Sequence, residues 1–329
     1  MAIDAQLITE YQLATTAAVW RQRAGRGLLE VSGPDGAAFF QGQVTNDVEG
    51  LQVGDGCYAA LLTAKGKMRA DMRILRVAED VLWVESSAAA LALVSATIKK
   101  FRVGFDFTST DLTENFALFS MIGPKAHETL ERLTGVPVPL ASDEHANVVT
   151  AIEAVPVTAA GTDLGVDVLV TGNDQACDHV AEALTAALGP PVGAETVETL
   201  RVESGRPLLG REIDGETIPQ EAAINERAVN FEKGCYVGQE TVARLFYKGK
   251  PNRQLRGLRL HGPAVHGEAV TSSEGKLVGI IGTAVDSPRH GTIALAILRR
   301  EAQPGDEVSV GAANGATVVE PKDFSTNRN

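Results

Sequence analysis

The sequence predicts an α+β fold in which two related α+β modules precede a β-rich C-terminal region. Two segments share the order apolar strand, Gly-Pro, helical pattern: GLLEVSGPDGAAFF at positions 27–40 and FALFSMIGPKAHETLERL at positions 116–133. A third and looser unit is DVLVTGNDQACDHVAEAL at positions 167–184. This duplication favours paired α+β modules over one doubly wound sheet.

Local signals predict the elements of these modules. Pro34 and Pro124 suit the first turn of a helix, where a backbone N–H is not needed. Asn173 or Asp174 can cap the helix of the third unit. Between the first two units, the runs YAALLTA, MRADMRILRV and VLWVES are separated by turn signals. They predict an antiparallel sheet, and AAALALVSATIKKF after them predicts a helix.

The sequence pattern changes after about Pro251. Short β-type runs such as LRGLRLHG, KLVGIIGTAVDS and GTIALAILRR are separated there by Gly, Pro, Asp and Ser. This spacing predicts a small β-barrel or sandwich. The last residues, PKDFSTNRN, are polar and predicted to be loose. The expected division is a ligand-binding α+β region over 1–250, a β-barrel domain over 251–322 and a flexible tail over 323–329.

The bulk composition indicates a globular protein of two or three domains. The chain has 329 residues, 44% of them hydrophobic and 22% charged, which leaves room for sizeable cores. Its net charge of −12 argues against broad binding to nucleic-acid phosphates. The sequence contains no apolar run of membrane-spanning length and starts without a signal-peptide pattern. We therefore expect a cytoplasmic protein.

Familiar cofactor and catalytic motifs are missing. Cys57, Cys177 and Cys235 are far apart and odd in number, which fits no disulfide framework. No CxxC, HExxH, GxSxG, GxGxxG or GxxxxGK[ST] motif occurs. We therefore expect no resident metal site, and the sequence gives little support for a hydrolase.

One candidate ligand-binding carboxylate lies in LLTAKGKMRADMRIL, positions 61–75. Strict alternation places Asp71 on one strand face with Arg69 and Arg73, and Ala70, Met72 and Ile74 on the other. Asp71 is then either a solvated, paired carboxylate or an acceptor for the N–H groups of a ligand. The pattern leaves both interpretations open.

Positions 198–253 are dense in charge and glycine. ETLRVESG reads as the end of a helix with Gly205 as its stop, and it brings Arg201, Glu203 and Arg206 together. Glu203 can pair with a surface arginine or hold a donor-rich heterocycle in a cleft. QETVARLF then reads as a helix that begins near Gly238.

Cys235 lies in KGCYVGQE, just before that helix. It is either a small buried residue or a thiolate favoured by the helix N-terminus and by Lys233. Gly234 and Gly238 permit a positive φ or the close approach of a ligand. The flanking glycines and charges fit the buried interpretation poorly.

These residues resemble a known family. The run IPQE…NFEKGCYVGQETVAR…YKG, positions 218–249, is similar to the signature of YgfZ-type folate-binding proteins in the aminomethyltransferase (glycine-cleavage T-protein) superfamily. LLEVSGPDGAAFFQGQVTNDV, LLTAKGKMRADMRIL and LRVESGRPLLGREI extend the resemblance, while about 108–195 match only loosely. The resemblance implies a three-lobed T-protein-like fold, with two α+β modules and a C-terminal β-barrel around a central folate channel.

The resemblance also implies a function and a set of site residues. The family binds tetrahydrofolate and supports iron–sulfur clusters, including those of radical enzymes that modify tRNA. Its partners are therefore folate and iron–sulfur apoproteins or assembly machinery, without direct nucleic-acid or membrane binding. By resemblance Cys235 and Lys233 would carry the thiol chemistry. Glu203, Asp71, Arg201, Gly238 and Gln239 would bind the folate.

Two other functions stay open at this point. True T-proteins lack KGCYxGQE and transfer an aminomethyl carbon to tetrahydrofolate, which needs folate positioning rather than a thiol. The alternative is therefore a folate-dependent one-carbon transferase. The third is a binding module that takes no ligand.

Overall fold

The structure is a computed structural model that describes residues 3–139, 144–311 and 314–325. The helices are α1 (Ala5–Thr16), α2 (Gly36–Gln43), α3 (Ala88–Phe101), α4 (Ala126–Thr134), α5 (Asp174–Leu188), α6 (Ala194–Glu203), α7 (Asn225–Ala228) and α8 (Gln239–Lys248). The strands are β1 (Val19–Gln22), β2 (Arg26–Ser32), β3 (Gly56–Leu62), β4 (Met68–Ala78), β5 (Val81–Ser87), β6 (Thr108–Asp111), β7 (Phe116–Ile122), β8 (Asn147–Ile152), β9 (Val155–Thr162), β10 (Gly165–Thr171), β11 (Arg253–Leu260), β12 (Ala269–Ser272), β13 (Leu277–Ile280), β14 (Thr283–Ser287), β15 (Gly291–Arg299), β16 (Glu307–Val310) and β17 (Asn314–Val319).

Two antiparallel sheets form the α+β part, as the duplicated sequence units predict. The first has the strand order β3-β4-β5-β2-β6, and the second has the order β1-β7-β10-β9-β8. The N-terminal strand β1 pairs with β7, so the chain begins in the second module before it builds the first. Each sheet packs its own apolar core against its helices. A smaller cluster that includes Leu75 and Leu118 lies where the two sheets meet.

The helix after each Gly-Pro begins later than the sequence predicts. Gly33 and Gly123 adopt φ values of +141° and +123°, a backbone region that only glycine enters easily. The helices α2 and α4 have Asp35 and Lys125 as N-cap residues. The two prolines therefore precede the N-cap, in the turn, rather than occupying the first helical turn. In the third unit, Asn173 caps α5 as expected, since its side chain accepts a hydrogen bond from the Ala176 amide at 3.1 Å.

The C-terminal strands form a closed β-barrel. Six strands follow the order β11-β17-β16-β12-β13-β15, and β15 pairs back to β11 to close the ring, while β14 pairs with residues 291–295 of β15 on the edge that β13 also uses. Closure pairs the strand edges that an open sheet would leave exposed. The barrel prediction is therefore confirmed.

The end of the chain packs against the barrel. Residues Pro321–Phe324 form a 3-10 turn, and Phe324 is fully buried in a cluster with Val202 of α6 and Leu255 of β11. Phe324 falls within the segment expected to be a flexible tail, but its aromatic ring is part of the core. Positions 326–329 of that segment lie outside the described residues.

Candidate functional site

A cavity of about 220 Å³ lies between the two sheets, and because of this position we call it the main cavity. β4 and β5 of the first sheet, β7 and β10 of the second, and α6 contribute its walls. Asp71 and Arg73 of β4 line it together with part of Met72 between them, while Ala70 and Ile74 are fully buried in the core of the first module. The alternation predicted for this strand is therefore what places Asp71 in the cavity.

A chain of buried ion pairs joins the two sheets across the cavity. Arg26 Nε donates to Glu85 at 2.5 Å, and Arg73 Nη2 lies 3.2 Å from the same carboxylate. Arg73 Nη1 donates to Asp167 Oδ2 of the second sheet at 2.8 Å, and Ser120 Oγ donates to Oδ1 of Asp167 at 2.7 Å. Bidentate and bridging contacts of this kind hold an arginine in a defined orientation. Arg73 Nε is buried and has no hydrogen-bond partner among the described residues.

Asp71 is held by a tyrosine. The Tyr58 hydroxyl donates to Asp71 Oδ2 at 2.6 Å. The guanidinium carbon of Arg227 lies 4.9 Å from the centre of the Tyr58 ring, within reach of a cation–π contact. Burial and the neighbouring Asp71 carboxylate raise the pKa of Tyr58 well above its usual value. Tyr58 therefore stays protonated and keeps donating to Asp71.

A second group of charges surrounds His145. Burial alone would raise the pKa of Glu144, but the hydrogen bond and charge of Arg227, with His145 and Arg206, lower it to about 2. Burial, which outweighs the Glu144 carboxylate, lowers the pKa of His145 to about 3, so its ring is neutral at physiological pH. The His145 backbone adopts φ +74°, an uncommon conformation for a residue other than glycine. Neither ring nitrogen has a hydrogen-bond partner within the described chain, although Nε2 lies 3.4 Å from Glu144.

A second cavity of about 420 Å³ adjoins the first. The two share Tyr58, Glu144, His145 and Arg227 in their walls. The side chains of the Glu144–Arg227 ion pair and of Tyr58 thus stand between an inner chamber, with Asp71, and an outer one, with Cys57.

Arg201 lines the main cavity, but its donors are engaged elsewhere. It makes two hydrogen bonds to Glu198, at 3.0 and 2.7 Å, and contacts Glu212 at 3.3 Å and the Thr283 hydroxyl at 2.8 Å. It also donates to the Arg206 carbonyl. These contacts tie α6 to the barrel strand β14, so the geometry indicates a structural position.

Glu203 is separate from the residues that line the two cavities. Its carboxylate accepts hydrogen bonds from Tyr11 Oη of α1 at 2.9 Å and from Ser287 Oγ of β14 at 2.5 Å. Burial raises the pKa of Glu203, although these two hydrogen bonds act in the opposite direction. The sequence grouped Glu203 with the ligand site, whereas the structure places it at the junction of α1, α6 and the barrel.

The KGCYVGQE segment lies on the first module. Lys233 Nζ donates to the carbonyls of Gln41, Val44 and Asn46, at 2.7, 2.9 and 2.7 Å. Burial lowers the pKa of Lys233 to about 8. Its ammonium therefore binds the end of α2 and the residues after it.

Cys235 itself is exposed and is not among the residues that line the two cavities. Gly238, the N-cap of α8, has φ +88°, and a Cβ there would lie 2.5 Å from the Thr63 carbonyl oxygen. Gln239 is the first residue of α8. The buried interpretation of Cys235 is therefore excluded, since the side chain faces solvent beside a tightly packed turn.

The other cysteines have different surroundings. Cys57 is buried, and burial raises its pKa to about 12, against the charge of Lys233, which lowers it. Burial likewise raises the pKa of Cys177. Both remain thiols at neutral pH.

Aromatic side chains are exposed near the KGCYVGQE segment. The Phe231 and Phe246 rings stack with centres 3.8 Å apart, and Tyr247 packs edge-on against both. Phe246 is 48% exposed and Tyr247 is 65% exposed. Val242, Leu245 and Phe246 recur at helical spacing along α8. In the structure only Val242 of that helix is buried.

Sequence patterns alone missed several residues of the main cavity. Tyr58, Arg23, Arg26 and His145 all line it, yet none belongs to a recognisable motif. Tyr58 lies in the YAALLTA strand, directly beside the strand of Asp71, and this pairing was the available signal. Among the described residues, no group of three or more His, Cys, Asp or Glu side chains is arranged to hold a metal ion.

In the same described ranges, no helix combines the length and the apolar character that a membrane span requires.

Comparison with known proteins gives consistent results. A family model described as the GCVT N-terminal domain matches residues 6–233. The chain is 27% identical to an aminomethyltransferase of Saccharopolyspora erythraea over 94% of this chain and 87% of that protein. It is 31% identical to the tRNA-modifying protein YgfZ of Photorhabdus laumondii over 70% of this chain and 67% of that protein.

A solved structure has the same architecture. The crystal structure of glycine cleavage system aminomethyltransferase T from Bartonella henselae superposes with a TM-score of 0.84 at 22% identity, covering 97% of this chain and 89% of the other. This likeness confirms the three-lobed fold that the resemblance implied.

Proposed function

Because the chain belongs to the GCVT family of aminomethyltransferase-like proteins, we propose that its main cavity binds tetrahydrofolate and that Cys235 acts outside that cavity. In this proposal the thiol serves the assembly or repair of iron–sulfur clusters in the cytoplasm, and the folate site regulates or supports that task. The observation that carries it is the separation of the two features: an acidic group in a buried cavity, and an exposed thiol that does not line it.

The cavity residues fit a pterin ring. A pterin presents adjacent N–H donors on one edge and acceptor atoms on the other, and a buried polar ligand needs partners for both. Asp71 is an acceptor oriented by Tyr58. Arg73 Nε is a buried donor without a hydrogen-bond partner within the described residues, and the neutral His145 ring offers one donor and one acceptor. When bound, tetrahydrofolate would supply nitrogen atoms that carry one-carbon units.

The residues that the sequence assigned to folate binding have different roles in this proposal. We propose that Asp71 binds the pterin, and that Arg201 and Glu203 support the walls of the site through α6. Gly238 and Gln239 would act with Cys235, by positioning the turn and the first residue of α8. Lys233 would hold the segment in place through the carbonyls that it binds.

The surroundings of Cys235 suit a thiol that meets another protein. It is exposed and belongs to the same segment as the stacked Phe231, Phe246 and Tyr247 rings. Exposed aromatic groups are common at protein–protein contacts. The relative in Photorhabdus laumondii is called a tRNA-modifying protein. We propose that the partners of this chain are iron–sulfur apoproteins, including enzymes that modify tRNA.

Calorimetric titration with tetrahydrofolate tests the ligand site. We expect wild type and Cys235→Ala to bind equally, and Asp71→Asn to bind about tenfold or more weakly, because a charged acceptor is lost. Asp55→Asn is the matched control, since Asp55 belongs to the turn before β3 and does not line the main cavity. Wild-type affinity in Asp71→Asn would remove Asp71 from the proposed site.

Complementation tests the thiol. In a strain that lacks this gene, we expect Asp71→Asn and Cys235→Ala each to reduce the activity of a [4Fe–4S] tRNA-modifying enzyme, with Cys235→Ser as the isosteric control that lacks the thiol. Full activity with Cys235→Ala would contradict a role for this residue.

A second candidate is a folate-dependent aminomethyltransferase. One observation favours it: the Asp71 carboxylate is held inside the cavity, where a folate nitrogen can be positioned, and relatives of the chain include aminomethyltransferases. It predicts steady turnover of an aminomethyl donor with tetrahydrofolate, unchanged in Cys235→Ala. The assay of purified protein separates the two functions.

A further inference from the structure

The arginine, aspartate and glutamate side chains that line the main cavity form ion pairs with one another or with carboxylates just outside it, with two exceptions. Glu85 contacts Arg26 and Arg73, and Asp167 contacts Arg73. Glu144 contacts Arg227 and Arg206, Arg206 also contacts Asp163, and Arg201 contacts Glu198 and Glu212.

The exceptions are one anion and one cation. Asp71 accepts a hydrogen bond from Tyr58 but makes no ion pair with a described residue. Arg23 lines the same cavity, and its guanidinium makes neither a hydrogen bond nor a close ion pair within the described chain, although the more distant carboxylates of Asp167, Glu85 and Glu198 act on its charge. Its backbone is nevertheless fixed, because the Arg23 amide donates to the Leu118 carbonyl at 2.7 Å.

Arg23 and Asp71 come from different walls. Asp71 lies in β4 of the first sheet, and Arg23 directly follows β1, which pairs with β7 of the second sheet. A partly buried charge without a partner costs free energy, so a cavity that keeps one is suited to a ligand that neutralises it. Burial lowers the pKa of Arg23, which agrees with this cost, while a guanidinium remains charged at physiological pH.

We propose that Arg23 is an anion subsite of the main cavity, so that the cavity selects a dipolar ligand with N–H groups at Asp71 and a carboxylate at Arg23. Guanidinium groups bind carboxylates with two parallel hydrogen bonds, which adds orientation to charge. This inference rests on the proposed function for the nature of the ligand, but the subsite is defined by the charges of the cavity alone.

The carboxylate has two possible sources, and both present the same chemistry to Arg23. It belongs either to the glutamate tail of tetrahydrofolate or to a second, small amino-acid-type molecule bound beside the pterin. Three probes distinguish them: tetrahydrofolate, 6-methyltetrahydropterin, which has no carboxylate, and N-methylglycine.

The experiment is calorimetric titration of the full chain and of Arg23→Gln with each probe. Arg21→Gln is the matched control, because Arg21 is two residues away in β1, donates to the Val192 carbonyl and does not line the cavity. Arg23→Lys keeps the charge, and thermal unfolding checks that each variant is folded. Since the Arg23 side chain makes no hydrogen bond or close ion pair within the described chain, we expect folded variants.

Two results support the subsite. If the tail supplies the carboxylate, Arg23→Gln binds tetrahydrofolate about tenfold or more weakly and binds 6-methyltetrahydropterin as wild type does. If a second molecule supplies it, Arg23→Gln binds both pterins normally but loses the binding of N-methylglycine to the pterin-loaded protein. In either case Arg23→Lys recovers part of the loss.

The remaining results overturn it. Wild-type affinity of Arg23→Gln for all three probes, or an equal loss in Arg21→Gln, excludes the subsite. Failure of both pterins to bind wild type contradicts the proposed function instead. In that event N-methylglycine on the unloaded protein still decides the subsite: binding that depends on Arg23 supports it, and no binding rejects it.

Discussion

Lys233 and Cys235 are two positions apart but have different surroundings. The Lys233 ammonium group donates hydrogen bonds to three carbonyls of the 41–46 segment, whereas the Cys235 side chain is exposed. The Lys233 charge acts on the pKa of the buried Cys57. The lysine of the motif therefore stabilises the fold around the thiol more directly than it activates the thiol.

Replacing Lys233 tests this division. We expect Lys233→Met to lower the free energy of unfolding by about 2–3 kcal/mol, because three partly buried carbonyl acceptors lose a charged donor. Urea denaturation measures the change, with the exposed Lys65→Met as control. The rate at which iodoacetamide labels Cys235, followed by mass spectrometry at a pH where the variant is folded, should stay within about threefold of wild type. A much slower rate with unchanged stability would assign Lys233 to activation.

The pH dependence of stability is a second prediction at this scale. Burial alone would raise the pKa of Glu85, but the charges of Arg26 and Arg73 hold it well below its usual value. A carboxylate with a lowered pKa stabilises the folded state above its unfolded pKa, and this contribution is lost as the pH falls through the folded value. The pKa of a glutamate carboxyl is ordinarily 4.5, and that of Glu85 in the folded protein is about 2. The free energy of unfolding should therefore decrease as the pH is lowered through the range between these two pKa values.

Substitution isolates the contribution of Glu85. Thermal unfolding of Glu85→Gln should show a flatter decline over that range than wild type, although the variant is less stable at neutral pH because Arg26 and Arg73 lose their partner. Glu79→Gln, at a side chain that is 86% exposed, should reproduce the wild-type slope. Parallel slopes for Glu85→Gln and wild type would exclude Glu85 as a source of the acid sensitivity.

At the scale of elements, the start of α8 depends on one glycine of the motif and not the other. Gly238 has φ +88°, and a Cβ would lie 2.5 Å from the Thr63 carbonyl oxygen and 3.1 Å from the Gly66 Cα. Gly234 has no atom within 4 Å of an added Cβ. The backbone conformation of the motif at Gly238 therefore depends on the packing of α8 against the turn between β3 and β4.

Alanine substitution distinguishes the two glycines. We expect Gly238→Ala to cost about 1–3 kcal/mol, because the new side chain meets backbone atoms in a strained conformation. Gly234→Ala should change stability by less than about 0.5 kcal/mol, as expected at an open surface position. Chemical denaturation of both variants provides the measurement, and equal losses would contradict the packing of α8 on the turn.

At the scale of the whole molecule, α6 joins the parts that surround the cavity. Glu203 links this helix to α1 and to β14 through Tyr11 and Ser287, and Arg201 links it to Thr283. Val202 packs in the same cluster as Phe324 at the end of the chain. One ten-residue helix thus connects α1, the barrel region and the C-terminal turn.

Removal of the Glu203 carboxylate tests this junction. We expect Glu203→Ala to lower the free energy of unfolding by about 1–3 kcal/mol, because two buried hydroxyl groups lose their acceptor. Its affinity for tetrahydrofolate should match that of wild type under conditions where it is folded. Glu182→Ala, at an exposed position of α5, serves as control. A loss of folate affinity in Glu203→Ala with unchanged stability would instead indicate that Glu203 belongs to the ligand site.

The sequence by itself determined the elements and the fold class. Local patterns were enough to predict β3–β5, α3, the cap of α5 and the β-rich C-terminal region. Hydrophobic periodicity and turn residues determine such elements within a few positions of the chain. The motif KGCYVGQE, by resemblance, indicated the superfamily that the family match then confirmed. Alternation also placed Asp71 on the face that lines the cavity.

Only the tertiary structure decided which charged residues share a site. Arg23, Tyr58, Arg73 and Asp167 are up to about 140 positions apart in sequence and meet because two antiparallel sheets face each other. The same packing places Glu203 at the α1–barrel junction and Lys233 against carbonyls in the last turn of α2 and just after it, although sequence proximity grouped each with its neighbours. A contact between distant residues depends on how whole elements pack, and no local pattern of the chain records it.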